Sequence, residues 1–227
     1  MTFMLNKPRS FISQTSTKLR RGQRLAVQLL EPRNMDPKCR YRGKAPRFLN
    51  KLACAGRLDA DSSGLLLFTQ DGNVARNIIG ADSEVEKEYL VRLADSVSAP
   101  EAREGIARQL RHGMVLDGVV LKEAEVDWVH HDTLRFVLHE GRCVRRTCNS
   151  LLTLSCKVLQ GAVFITCVTT DFLHCMCWFT RNRQIRRMCA SLDLDIVRLH
   201  RTRIGEYELE FTCLVLATLT WTALDTA

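Results

Sequence analysis

Arg57, Asp59 and Asp61 occupy alternate positions in the stretch GRLDADSSGLLLFTQDG, residues 56–72. In an extended chain that spacing puts the three charges on one face, with Leu58 and Ala60 on the other. Ser62-Ser63-Gly64 reads as a turn, Leu65-Leu66-Leu67-Phe68 as a short buried strand, and Asp71-Gly72 as a closing turn. Charges at the rim of a buried strand are costly to desolvate, so this group is either a structural ion pair or a reaction site. A carboxylate held ionised and aimed acts as a nucleophile or a general base. A DxD pair also serves metal-dependent phosphotransfer enzymes, where it usually follows a strongly apolar strand. Here the apolar strand comes after the pair, which argues against that reading.

The elements that must position these residues alternate between short strands and short helices. TFMLNKP reads as a strand ending in a proline-directed turn, and residues 15–50 as a basic, turn-rich surface loop or insertion. A brief helix is predicted through Val74, Ile78 and Ile79. EKEYLVRL alternates and predicts a strand with Lys87, Tyr89, Val91 and Leu93 on one face. Ser98-Ala99-Pro100-Glu101 is a capping-box start for a helix reaching about Leu110. Two further strands are expected around GVVLKEAEVDWV and TLRFVLHEG, and a last one in DIVRLHRTRIGEYEL.

Asn182 is placed to cap a helix with Ile185, Met188, Cys189 and Leu192 on its apolar face. Arg183, Arg186 and Arg187 crowd its first turns, the end where the helix already carries partial positive charge. They form either a solvated basic face or a group that faces something anionic, a carboxylate from elsewhere or RNA phosphates.

The chain has 227 residues and a net charge of +8, enough length for one domain with a sizeable core. The charge is uneven. Residues 1–57 hold 14 Lys or Arg against Glu31 and Asp36, whereas the remainder is net acidic. Such asymmetry points to a polyanion-binding end, with nucleic acid the first candidate, or to a solvated basic face. No stretch reaches the ~18 apolar residues a membrane span requires, and MTFMLNKPRSF lacks the long apolar region of a secretory signal. An intracellular protein without a membrane partner is expected.

Ten cysteines are present, six of them between 143 and 177. Their gaps are irregular and only Cys175 and Cys177 are close, which disfavours a zinc site; nothing supports a disulfide framework either. Residues 143–181 hold one acidic residue, Asp171, and show no clean period; the tail FTCLVLATLTWTALDTA has the same character.

Taken together, GRLDADSSGLLLFTQDG, EKEYLVRL, LNKP and the split pair EGR and NRQIRRM resemble the ribosomal pseudouridine synthases of the small-subunit synthase A and large-subunit synthase B, E and F type. The likeness covers most of residues 3–142 and 182–209. It implies an α+β catalytic fold, a long, bent, mainly antiparallel sheet with flanking helices and a central cleft. It also implies isomerisation of uridine to pseudouridine in RNA, ribosomal RNA first, by a monomer. Asp59 corresponds to the family's catalytic aspartate, Tyr89 to its tyrosine and Arg186 to the arginine that pairs with the aspartate. The isomerisation is redox-neutral, so no cofactor or metal is expected. The target nucleotide must leave its helix, and Tyr89 offers an aromatic face and a hydroxyl.

Candidate RNA contacts are Lys7, Arg57, Lys87, Arg183, Gln184 and Arg187. Arg57 contacts RNA or braces Asp59, and Lys87 is a phosphate contact or a solvated strand residue. Asp61 reads as structural, tying down the Ser62-Ser63-Gly64 turn by side-chain hydrogen bonds.

The chain departs from the family pattern in three places. It begins at the catalytic domain, without the small RNA-binding domain that usually precedes it. The usual NKP-x-G turn ends here in Ser10. Deleting residues 143–181 restores an unbroken EGRNRQIRRM. The expected organisation is therefore a catalytic domain over 1–209, interrupted at 143–181 by a retained intron or disordered insert, and an atypical tail over 210–227. A catalytically impaired RNA-binding remnant is the alternative that this break raises.

Overall fold

The computed structural model describes residues 2–13, 21–36, 49–80, 83–116, 119–139, 158–159, 162–163, 183–209 and 221–224. The first half contributes strands β1 (Thr2–Lys7), β2 (Phe11–Ile12), β3 (Arg24–Leu25), β4 (Ala53–Ala55) and β5 (Ser63–Thr69), then helix α1 (Gly72–Ile79). Strand β6 (Glu86–Leu93) and helix α2 (Pro100–Arg111) follow, then β7 (Val115–Leu116), β8 (Val119–Val120), β9 (Glu125–His130) and β10 (Thr133–His139). The remainder holds β11 (Val158–Leu159), β12 (Ala162–Val163), helix α3 (Gln184–Ala190), β13 (Ile196–Ile204), β14 (Tyr207–Glu208) and β15 (Trp221–Leu224).

One sheet organises the molecule, in the order β15-β1-β5-β13-β6-β10-β9, with β4 added to β5 and β14 to β13. Its ladders are antiparallel except where β13 runs parallel to β5 at His200↔Ser63 and Arg201↔Gly64. β1 takes one edge of β5 along its length. The other edge is shared: β4 pairs with Leu67–Thr69 and β13 with Ser63–Gly64. This is the α+β, mainly antiparallel architecture the resemblance implies.

Burial follows sequence pattern closely in the centre. β5 is buried at every position. Its Leu66 and Phe68 pack with Phe3, Leu5 and Leu52, while Leu65 and Leu67 pack with Ile78 and Ile204 on the opposite face. A strand covered on both faces carries a continuous apolar run, as this one does. In β6 the predicted alternation holds, with Lys87, Tyr89, Val91 and Leu93 buried. A third core joins Tyr89 and Val91 to Leu110 of α2 and to Ile185, Met188 and Cys189 of α3.

Several local expectations are corrected. The turn before β5 lies at Asp59–Ser62, closed by Ser62 N–H to Asp59 O at 3.1 Å, so Ala60 faces solvent and Ser63 already belongs to the strand. The first helical position of α2 is Pro100, which starts the helix one residue too late for Ser98 to reach it; Ala99 is the N-cap and has no capping side chain. At α3 the N-cap is Arg183, in a left-handed conformation at φ 55°. Asn182, the predicted cap, lies outside the described residues. Most of 143–181 does too, apart from the β11–β12 ladder. Within the tail, β15 pairs with β1 and extends the sheet by one edge strand.

Candidate functional site

The segment bearing Asp59 is fastened at several points. Leu58 is buried in the same core cluster as Tyr89, which forces its charged neighbours Arg57 and Asp59 toward solvent. Ser13 holds Leu58 from both sides, accepting from its N–H at 3.0 Å and donating to its carbonyl at 2.6 Å. Ser10 N–H donates to Ala60 O at 2.6 Å, bringing the NKPRS turn against the same loop. Ser10, standing where the family pattern has glycine, adopts φ 71°.

Helix α3 faces this loop with two arginines. Arg183 Nη2 lies 2.7 Å from Asp61 Oδ2, and its Nη1 lies 3.7 Å from Asp59 Oδ2. Arg186 is the more enclosed of the two. Its Nε is 3.5 Å from Asp61 Oδ2, and its Nη2 is 3.4 Å from both Asp61 O and Ser62 Oγ. Both aspartate side chains remain about one-third exposed, at 37 % and 36 %. The loop and α3 therefore meet as predicted, but with a different pairing. The expected Asp59–Arg186 ion pair is replaced by Asp59–Arg183, and Asp61 receives both arginines. Asp61 does touch its own turn, accepting from Ser62 Oγ at 3.4 Å, yet its short contact is with α3.

Charges at the site shift in ways that follow from this geometry. Partial burial pushes the Asp61 carboxyl up, but the Arg183 hydrogen bond and the nearby Arg186 outweigh it and hold the group below its ordinary value. Arg183 is raised, chiefly by its hydrogen bond to Asp61. Burial lowers Arg186, with Asp61 and Asp59 opposing the shift. A metal-binding DxD would present open carboxylates to a cation, whereas guanidinium groups occupy that direction here.

The two lysines are corrections. Lys87 is fully buried and its Nζ donates to Ile78 O at 3.1 Å, so it is neither solvated nor placed to meet a phosphate. Lys7 is also fully buried, donating to Pro8 O and Phe11 O, both at 2.9 Å. Burial brings its amine down to about 8, against the opposing pull of Asp61 and Asp59. A lysine whose neighbours supply carbonyls is satisfied inside the fold. Arg57 and Arg183 are exposed, and Gln184 on α3 reaches back to Met188 Sδ at 4.0 Å. Arg187 lies half-buried on the same helix.

Arg201 was not legible as a site residue. It is 1 % exposed in the middle of β13, directly across the ladder from Tyr89. Its guanidinium donates to Leu65 O at 2.7 Å, Gly56 O at 2.8 Å and Arg57 O at 3.4 Å. Nη1 also lies 3.5 Å from Tyr89 Oη, and the charge sits 5.9 Å from the Tyr89 ring centre. In sequence it is one of several basic residues that alternate with apolar ones along a strand, and the central position of β13 in the sheet is what sets it apart.

The family model described as RNA pseudouridylate synthase matches residues 1–191 of the chain. An uncharacterized RNA pseudouridine synthase of Borreliella burgdorferi is 25 % identical over 206 residues, covering 91 % of this chain and 59 % of that protein. The ribosomal large subunit pseudouridine synthase B of Vibrio vulnificus is 30 % identical over 160 residues, covering 68 % of this chain and 36 % of its own. A crystal structure of a pseudouridylate synthase superposes with a TM-score of 0.57 at 25 % identity, covering 93 % of this chain and 65 % of that one. The chain thus spans between about a third and three-fifths of the length of these curated relatives.

Proposed function

The chain belongs to the RNA pseudouridylate synthase family, and from that premise we propose that it isomerises uridines of RNA, ribosomal RNA first, to pseudouridine. The observation that carries the proposal is the facing of two elements. The Asp59 carboxylate, about one-third exposed, sits on a strapped turn, and the basic N-terminal end of α3 lies directly opposite.

The reaction breaks the N-glycosidic bond, turns the uracil and rejoins it to the ribose through carbon 5, with the proton on that carbon released. Asp59 is the catalytic carboxylate, acting as nucleophile or base. The arginines keep negative charge at this turn favourable, and Arg186, shielded and hydrogen-bonded to Ser62 and Asp61 O, fixes the turn relative to α3. Tyr89 supplies an aromatic face and a hydroxyl to a flipped-out base. Arg57, Arg183, Gln184 and Arg187 form the RNA-facing rim, with phosphates as their partners. Lys7 and Lys87 serve inside the fold.

The test is tritium release from ribosomal RNA labelled at carbon 5 of uridine, using the full chain. Release above a protein-free control supports the proposal. RNA retained on a filter with no release from any ribosomal RNA would contradict it and favour the non-catalytic RNA-binding reading.

A further inference from the structure

We propose that Arg201 is a positioning residue of this site, one that locks the Asp59 turn and the Tyr89 hydroxyl to a single rigid group; the inference rests on the function proposed above. Four features of the fold converge on it.

The first is where its hydrogen bonds go. Gly56 and Arg57 lead into the Asp59 turn, and Leu65 follows it in β5. The carbonyls of all three accept from Arg201. Both ends of the turn are thereby tied to one planar group, whose donors have fixed mutual angles. The fourth contact, from Nη1 to Tyr89 Oη, crosses to β6. A phenol oxygen approached by a fixed N–H donor has its position defined by that contact.

The second feature is the gap it fills. β4 and β13 share one edge of β5 and leave Leu65 O between them without a strand partner. The Arg201 side chain enters that gap. Register along the β13–β6 ladder shifts between Arg201 and Arg203, the kind of irregularity that re-aims a side chain.

The third is the room made for it. Gly64 has φ 113°, and a Cβ there would overlap the Arg201 backbone. Gly56 has φ 90°, a conformation that favours glycine, while a Cβ there would make only ordinary contacts, with Lys87 Cε at 3.6 Å and with Arg201 Nη1 and Ile79 Cγ2 at 3.7 Å. Of the two glycines that bracket the turn, Gly64 is the one that the close approach of Arg201 requires.

The fourth is the kind of partner it has. Among the described residues, the hydrogen-bond partners of Arg201 are carbonyls and a phenol, with no carboxylate. A guanidinium removed from water without a counter-charge stabilises a fold less well than an apolar side chain of similar length. What it supplies is a defined separation between two catalytic groups, one on the turn before β5 and one on β6, and misplacement of such groups is costly for rate.

The experiment compares wild type with Arg201→Met, Arg201→Lys, Tyr89→Phe and the two double variants. Single-turnover rates at saturating RNA and RNA affinities are measured for each. Arg201→Met is expected to slow the chemical step by roughly thirtyfold or more, with affinity changed less than about threefold. In the Tyr89→Phe background the same change should cost at least about fivefold less, because the two residues act as a unit. Arg201→Lys keeps the charge but loses the fork, so it should recover only part of the rate; it also carries the comparison if Arg201→Met fails to fold. Effects that multiply independently, or a wild-type rate in Arg201→Lys, would overturn the proposal.

A second arm does not depend on activity. With tyrosine labelled at Cζ with carbon-13, the Tyr89 resonance should move in Arg201→Lys while that of the exposed Tyr207 stays. An unmoved Tyr89 resonance would overturn the contact. If wild type forms no pseudouridine, the functional reading has failed, and this arm alone judges the positioning role.

Discussion

Arg183 Nη2 and Asp61 Oδ2 lie 2.7 Å apart, joining residues separated by 122 positions and fastening α3 to the turn that carries Asp59. The contact gives Asp61 a purpose beyond its own turn: one carboxylate orients two arginines, Arg183 and Arg186, above the neighbouring Asp59.

Asp61→Asn should therefore act on rate rather than on fold. The pair is about one-third exposed or more on each side, so its loss should cost under about 1 kcal/mol of stability. The single-turnover rate should fall about ten- to a hundredfold as the two arginines lose their shared anchor. Thermal unfolding together with single-turnover kinetics checks this. A large loss of stability with an unchanged rate would show that Asp61 is only a fold residue.

Arg183 is the more exposed of the two arginines, and the proposed function sets it at the RNA-facing rim. Arg183→Gln should weaken RNA binding and reduce the slope of log affinity against log salt by about one. Titrations at several salt concentrations measure that slope. An unchanged slope would place Arg183 away from the phosphates.

Ser10 holds φ 71° while its N–H is bonded to Ala60 O. A left-handed serine costs about 1–2 kcal/mol, of which the extra entropy of an unfolded glycine takes back about 0.4–1. Ser10→Gly should accordingly stabilise the protein by about 0.5–1 kcal/mol in a urea titration. A destabilised variant would mean that the serine side chain contributes something its backbone geometry does not show.

His200 is buried with Nδ1 2.9 Å from Ser63 Oγ, and burial lowers it from 6.5 to about 4, with Arg198 acting in the same direction. Above pH 6.5 it is neutral in both the folded and the unfolded chain and adds no pH dependence. Between 6.5 and about 4 the unfolded chain binds the proton first, so stability falls as pH falls. In that window His200→Gln should show a shallower decline, by up to about 1.4 kcal/mol per pH unit. Urea titrations from neutral to acid pH follow it. Parallel slopes for the two proteins would exclude His200 as the source.

Much of the scaffold was legible because short-range patterns determine it. The period-two burial of Lys87, Tyr89, Val91 and Leu93 and the apolar run of β5 were both readable from spacing alone. What spacing does not show is where a long side chain ends. Lys87 and Lys7 occupy positions that a solvated lysine would also fit, and only the surrounding carbonyls reveal that their amines are interior. The partners of the arginines were obscure for a related reason. Asp59 and Asp61 are two residues apart, and whether Arg183 or Arg186 meets each one depends on the angle at which α3 arrives. Arg201 was hidden because its partners come from three distant segments, Gly56–Arg57, Leu65 and Tyr89.

The most direct measurement is pseudouridine formation by wild type and by Asp59→Ala on the same unmodified ribosomal RNA, read as tritium release from carbon 5 with RNA affinity determined in parallel. Release by the variant should fall roughly a thousandfold or more, with affinity within about threefold of wild type. Equal release from the two proteins would contradict it and remove Asp59 from the chemistry.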